Sequence, residues 1–212
     1  MKLFGYFRSS AAYRVRIALN LKGIVVEHVP VHLVRDGGKH RKADYLSRNP
    51  QGLVPTLELD DGTLLTQSIA IIEYLDTLSP LHRLVPDDAL QAAKIRAVAQ
   101  TIACEIHPLN NLRVLNYLKG PLQQPQVAID AWMKQWMMSG GLDAVEALLT
   151  GGDYCFGNAP TLADCCLIPQ LFNASRFKVS YVHLPKICHV ERKCLELSAF
   201  AVAHPSQQPD AE

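Results

Sequence analysis

Strand-forming sequence is confined to the first third of the chain, and this asymmetry restricts the possible architectures more than any other feature. KLFGY is a short apolar strand, and the stretch from Ala11 to Lys22 places Val15, Ala18 and Leu21 at helical spacing before Gly23 stops it. IVVEHVPVHL, rich in β-branched residues, reads as a second strand. LVPTLEL and TLLTQ flank the turn Asp60-Asp61-Gly62 and read as a hairpin. SIAIIEYLDTLSP is a helix opened by Ser68 and closed before Pro80, with Ile69, Ile72 and Leu75, or Ile71 and Leu75, on its apolar side. The order β-α-β then β-β-α is that of a small thioredoxin-like sheet. From Asp88 onward strand signals nearly vanish and the apolar residues keep helical spacing, with Pro108 and Pro169 expected to kink their helices. The expected organisation is an α/β thioredoxin-like domain over residues 1–80, a linker over 81–87 and an all-α helical domain over 88–212.

Charge and hydropathy exclude several partner classes. Of 212 residues 49% are hydrophobic, enough for a real core, while 21 Lys and Arg against 20 Asp and Glu create no net field to favour nucleic acid or an anionic membrane. Any anionic ligand must therefore be recognised locally. MKLFGYF is too short and interrupted for a signal segment, and no apolar run approaches the roughly 20 residues that span a bilayer, so a cytoplasmic location is expected. The cysteines at 104, 155, 165, 166, 188 and 194 show no CxxC or zinc-ribbon spacing and read as small buried hydrophobes. Cys104 and His107 stand three apart on a helix, but without two further ligands at matching spacing they predict no metal site.

Two helix starts can do chemistry. Free N–H groups and the macrodipole make a helix N-terminus an anion site, and a serine adds a directional hydroxyl; Ser9 and Ser10 open the first helix, and Ser68 opens the other. A plain N-cap is the alternative reading of either serine. Val54-Pro55 puts a proline at the entry to a strand, which makes sense if the bond is cis and Val54's backbone is left for a bound peptide. Thr161 and Asp164 in PTLAD read as a structural capping box.

RSSAAYRVRIAL, NPQGLVPTLELDDG, TQSIAIIEYLD, PTLADCCLIPQLFNASRFKV and the closing HPSQQPD together resemble the zeta class of glutathione transferases over almost the whole chain. The resemblance implies glutathione as cofactor. Gln67 and Ser68 would hold its γ-glutamyl carboxylate and Val54 would pair with the cysteinyl unit. His40 would meet the glycyl end, or is a solvated loop histidine. Ser9, seconded by Ser10, would donate to the sulfur. Arg14 would approach glutathione, with Arg16 a surface or scaffold residue, and His107, Asn111 and Arg113 match positions near glutathione and a partner subunit, so a homodimer is implied.

The implied reaction is isomerisation of a small dicarboxylate, maleylacetoacetate, to fumarylacetoacetate in tyrosine and phenylalanine breakdown. Arg8 and Arg176 would grip its carboxylates as guanidinium forks. Arg176 stands in the apolar stretch LFNASRFKV, where a guanidinium without an anion would be costly; an internal ion pair is the alternative. The family commonly has a cysteine where this chain has Ala11, so the nucleophile is expected to be the sulfur of glutathione. Alternative readings are a maleylpyruvate isomerase, a zeta-type transferase acting on small α-halo acids, or a non-catalytic binding module.

Overall fold

In the computed structural model, which describes residues 1–212, the N-terminal sequence forms a four-stranded sheet of order β2-β1-β3-β4. β1 (Lys2–Gly5) is central; it runs parallel to β2 (Glu27–Pro30) and antiparallel to β3 (Thr56–Glu58), which pairs with β4 (Leu64–Thr66). A parallel pair needs a crossover, and α1 (Ser10–Lys22) supplies it. The strand expected over residues 24–33 is only four residues long for two local reasons. Ile24 N–H is spent on Leu19 C=O at 2.9 Å, closing the C-terminus of α1 around Gly23 (φ 65°), and Val25 is 92% exposed. At the other end the partner strand stops: β1 ends at Gly5, whose C=O takes the last N–H, that of Val31, and Pro30 sits on the edge strand at a position whose N–H would face away from β1. After the short α2 (Ala43–Leu46) and the hairpin, α3 (Ser68–Leu78) buries Ile71, Ile72 and Leu75, while Ile69 is half-buried.

The chain divides by contact into two units, residues 1–84 with 195–212, and residues 85–194. The second is helical: α4 (Ala89–Gln100), α5 (Leu112–Lys119), α6 (Gln126–Met137), α7 (Asp143–Leu148), α8 (Leu162–Arg176) and α9 (Pro185–Leu195). Pro108 does more than kink a helix. A π-helical turn over Thr101–Ile106 follows α4, and Pro108 opens a separate 3-10 turn before α5. Pro169 lies inside the span of α8, which is continuous through it. The helix begins with the expected capping box: Thr161 N–H and Oγ1–H both donate to Asp164 Oδ2, at 2.7 and 2.8 Å, an arrangement typically contributing about 1 kcal/mol. Oδ1 of the same carboxylate accepts from Cys155 N–H at 2.9 Å, and burial raises the Asp164 pKa. No helix is long and apolar enough to cross a membrane.

Residues beyond α9 differ from the expected 88–212 grouping. α10 (Ser198–Ala203) packs on α1, burying Phe200 and Ala203, and Asn20 Nδ2 donates to Ala199 C=O at 2.9 Å. The apolar run LSAFAVA does not by itself reveal this return, because its helical spacing is that of the second half and its polar contacts run from α1 side chains to tail carbonyls. α1 also carries a buried charge. Lys22 Nζ donates to Asp76 Oδ1 at 2.8 Å and to the carbonyls of Leu81 and His82, while Asp76 Oδ1 accepts from Leu84 N–H at 2.9 Å. One ion pair thus ties α1, α3 and residues 81–84. Removing one partner leaves an uncompensated buried charge, so Asp76→Ala should cost about 3–5 kcal/mol in urea unfolding, and adding Lys22→Met should return part of that loss.

Candidate active site

The corner between β1 and α1 is a tight turn closed by Ser9 N–H on Tyr6 C=O at 2.9 Å. Ser9 then caps α1 in an extended conformation (φ −69°, ψ 117°), its Oγ accepting Ala12 N–H at 3.2 Å. Accepting leaves the hydroxyl proton unspent, so capping and donation to an outside group are compatible. Ser9 is half-buried and Ser10 buried. Arg8 is exposed, with its guanidinium 4.9 Å from the centre of the Phe7 ring and Nη2 donating to Tyr6 Oη at 2.9 Å, so the side chain is held against an aromatic surface.

The start of α3 lies beside the same helix. Arg14, buried in α1, donates from Nη1 to Ser68 Oγ at 3.3 Å. Ser68 is the first residue of α3, and the cap position is taken by Gln67, in the left-handed half of backbone space at φ 69° and ψ 116°. No side chain caps this helix and no acid stands in its first turn, so its N–H groups and dipole remain available to an anion. Gln67 itself is exposed, with Nε2 donating to Gln51 Oε1 at 2.8 Å. The Val54-Pro55 bond is cis, and Val54, buried, precedes β3, so its backbone is in neither ladder.

His40 is buried, which removes the solvated-loop alternative. Its Nδ1 has no hydrogen-bond partner, and burial, followed by the neighbouring Arg41, lowers its pKa below the ordinary imidazole value. Gly38 (φ 91°) makes room for the ring: a Cβ there would come within 2.4 Å of His40 Cε1.

In the helical unit, Asn111 caps α5 by accepting Arg113 N–H at 3.2 Å, Arg113 is exposed, and His107 is half-buried at the end of the π-helical turn. Arg176 corrects one expectation. Leu171 and Ala174 take the inward side of α8, whereas Arg176 is exposed at the helix C-terminus, its guanidinium 4.4 Å from the centre of the Phe177 ring. A cation is favourable at that end of a helix, so the argument from costly burial does not apply to it. Among the thiols, burial and Asp164 push Cys155 and Cys194 well up, and Cys104 is exposed. No cysteine lies in the Ser9 segment, where Ala11 is half-buried.

The structure decides between two readings of one residue and adds another residue. Arg16 is buried, a scaffold rather than a surface residue, its Nε donating to Ala203 C=O and Nη2 to Phe7 C=O, both at 3.0 Å. Asp210 Oδ2 accepts Phe7 N–H at 3.1 Å. The closing HPSQQPD contained the signal, but its partner lies 203 residues away in sequence.

A four-stranded mixed sheet with two serine-marked helix starts, joined in one chain to a helical unit, is the architecture of the glutathione transferases. Residues 8–78 match the glutathione S-transferase N-terminal domain and residues 126–190 the C-terminal domain. The chain belongs to the glutathione S-transferase family, and within it to the zeta class. It is 47% identical over 210 residues to maleylacetoacetate isomerase of Pseudomonas aeruginosa, covering 99% of this chain and 98% of that protein. The holo structure of maleylpyruvate isomerase, a bacterial zeta-class enzyme, superposes with a TM-score of 0.95 at 44% identity over the whole of both chains. Maleylacetoacetate isomerase of Methylobacterium extorquens, solved with malonate and GSH bound, gives 0.94 at 38%, again over both whole chains.

The backbone at Gln67 yields a prediction independent of any ligand. A non-glycine residue there is strained by roughly 1–3 kcal/mol, partly offset by the extra chain entropy glycine would lose, so Gln67→Gly should stabilise the protein by about 1 kcal/mol in urea unfolding.

Proposed function

We propose that this protein is a glutathione-dependent cis-trans isomerase that converts maleylacetoacetate to fumarylacetoacetate in tyrosine and phenylalanine breakdown. One observation carries the reading: Ser9 keeps its hydroxyl proton free at the start of α1, while Arg14 of the same helix reaches the uncapped start of α3 at Ser68. The residues present suit glutathione. Ser68 and Gln67 offer an N-terminal helix turn to the γ-glutamyl carboxylate, the Val54 backbone is available to pair with the cysteinyl unit, and the unpartnered Nδ1 of His40 can serve the glycyl end.

Bound glutathione supplies the nucleophile, a thiolate whose reversible addition to the cis double bond lets the carbon–carbon bond rotate without consuming the cofactor. Ser9 donates to that sulfur with the dipole of α1 behind it, and Ser10 secures the same first turn. Arg8 and Arg176 each offer a planar guanidinium to a substrate carboxylate and to the enolate charge that develops beside it. With Ala11 in the corner, the chain brings no sulfur of its own to the site. The runner-up is the maleylpyruvate reaction, favoured by the 44% identical holo relative; comparing kcat/KM for maleylacetoacetate and maleylpyruvate decides between them. His107, Asn111 and Arg113 are assigned to the glutathione region near a partner subunit. The homodimer this implies should sediment at twice the 23.5 kDa chain mass. A cytoplasmic location suits a chain whose six cysteines form no disulfide.

The test is an absorbance assay with maleylacetone, with and without glutathione: turnover without the thiol would reject the reading. Ser9→Ala should raise the pKa of the bound thiol by about 1–2 and cut turnover at pH 7 more than it weakens glutathione binding. Because the thiolate is the reactive form, the lost activity should return as pH rises through the new pKa; an unchanged pH-rate profile would reject Ser9.

Arg8→Ala and Arg176→Ala should each cost about 1.5–3 kcal/mol in kcat/KM for maleylacetoacetate, the worth of a hydrogen bond to a charged group. Maleylacetone, with one carboxylate, should suffer from one deletion far more than from the other. Equal small losses for every substrate would show that neither arginine holds a carboxylate.

A further inference from the structure

The turn that delivers Ser9 is held by the last residues of the chain. Tyr6 C=O and Ser9 N–H close it, so Phe7 and Arg8 are its two central residues. Both backbone polar groups of Phe7 are taken by charged side chains: its N–H donates to Asp210 Oδ2 at 3.1 Å and its C=O accepts from Arg16 Nη2 at 3.0 Å. Bonds to charged groups are roughly twice as strong as neutral ones. The grip on Phe7 is also preorganised. Arg16 is buried, its Nε is spent on Ala203 C=O at 3.0 Å, and its guanidinium lies 5.3 Å from the centre of the Tyr13 ring. Burial draws its pKa down to about 10 against the pull of Tyr13 and Asp210, so it remains a cation at neutral pH. Arg16 and Asp210 line one small cleft with Gly5, Phe7, His28 and Gln208. Two other titratable side chains line it: the Tyr6 hydroxyl accepts from Arg8, and His28 is held below its ordinary pKa by burial and by Arg16, so Arg16 and Asp210 are the cation and the anion that grip the loop.

We propose that Asp210, acting with Arg16, is a positioning residue for Ser9: the C-terminal tail clamps the Phe7 peptides and thereby fixes the direction of the Ser9 hydroxyl. The proposal rests on the assignment of Ser9 as the donor to glutathione sulfur. It gives the closing QPD a role in the chemistry although it touches no reacting atom. Glu212, which pairs with His32 at 2.9 Å and Arg35 at 2.7 Å, is a second tail anchor whose charge reaches the Arg8 side chain but which makes no hydrogen bond to the Phe7 peptides, and so it controls for loss of a tail carboxylate as such.

The test uses the full chain and four variants, Asp210→Ala, Asp210→Asn, Glu212→Gln and Ser9→Ala. The readouts are the pKa of bound glutathione from thiolate absorbance, amide hydrogen exchange of residues 7–10 without glutathione, and glutathione affinity. Asp210→Ala should speed exchange at Phe7 about tenfold and raise the thiol pKa by about 0.5 to 1, with affinity changed less than about twofold. Asp210→Asn keeps an acceptor oxygen without charge and should fall between the alanine variant and wild type; it carries the test if the alanine variant does not fold. Glu212→Gln should leave the thiol pKa where it was. An unchanged thiol pKa in both Asp210 variants, with Ser9→Ala shifted, would overturn the clamp alone, as would a shift in Glu212→Gln equal to that of Asp210→Ala. An unchanged thiol pKa in Ser9→Ala would overturn the Ser9 assignment and the clamp with it.

Discussion

The first four N–H groups of a helix have no partner inside it, and the arrangement around the sheet follows from how α1 and α3 treat theirs. α1 satisfies one with Ser9 Oγ, a neutral cap that keeps its own proton; α3 has no side-chain cap at all. An acid in either first turn would have filled the same role and repelled an anion, and neither helix has one. Gln67 makes the second start possible by adopting a backbone conformation that L-residues avoid. Such strain persists only where neighbours hold it, and Arg14 reaching Ser68 from α1 is one of them.

α1 is therefore more than a crossover. It buries Arg14, Arg16 and Lys22 along with its apolar residues, and each cation reaches a different part of the first unit: Ser68 of α3, the Phe7 and Ala203 carbonyls, and Asp76 with the carbonyls of residues 81 and 82. Burying charge is expensive, and replacing paired charges with apolar groups is often neutral or stabilising. What these contacts provide is direction. An apolar helix could slide or rotate against its neighbours at little cost, whereas three cations with separate acceptors fix one register, and with it the place where Ser9 emerges.

The thioredoxin-like order, the helical second half, the capping box at Thr161 and Asp164, and the two serine-marked helix starts were legible because each depends on local spacing. What was not legible depends on pairing over long separations or on which side of a helix faces inward. Arg16 reads as a surface or a scaffold residue in a linear sequence, and the choice stays open there because its acceptors, Phe7 and Ala203, are carbonyls, which any residue supplies. The tail's return to the first unit is hidden for the same reason. Arg176 was misread in the opposite direction: apolar neighbours in sequence suggested burial, but at the end of a 15-residue helix the neighbours in space are the next turn and solvent. The strand after Gly23 looked longer than it is because β-branched residues signal extended backbone, not pairing, and Ile24 was already committed to closing α1.

On the proposed reading, the energetics show why no arginine need touch the sulfur. Bringing a thiol from a pKa of about 8.5 to about 6.5 requires roughly 2.7 kcal/mol of preference for the thiolate. A hydrogen bond to a charged group contributes about 1.5–3 kcal/mol, and a helix N-terminus typically adds about 0.3–1 kcal/mol. Ser9 and α1 together cover the requirement, provided the hydroxyl points at the sulfur and water does not compete for it. A cation in contact with the thiolate would lower its pKa further, but a less basic thiolate is also a weaker nucleophile. In this unit Arg14 and Arg16 are committed to Ser68, Phe7 and Ala203, and Arg8 is laid against Phe7 and Tyr6 with its face exposed. The chain thus leaves activation of sulfur to a neutral donor and a dipole, and keeps an exposed guanidinium for a carboxylate.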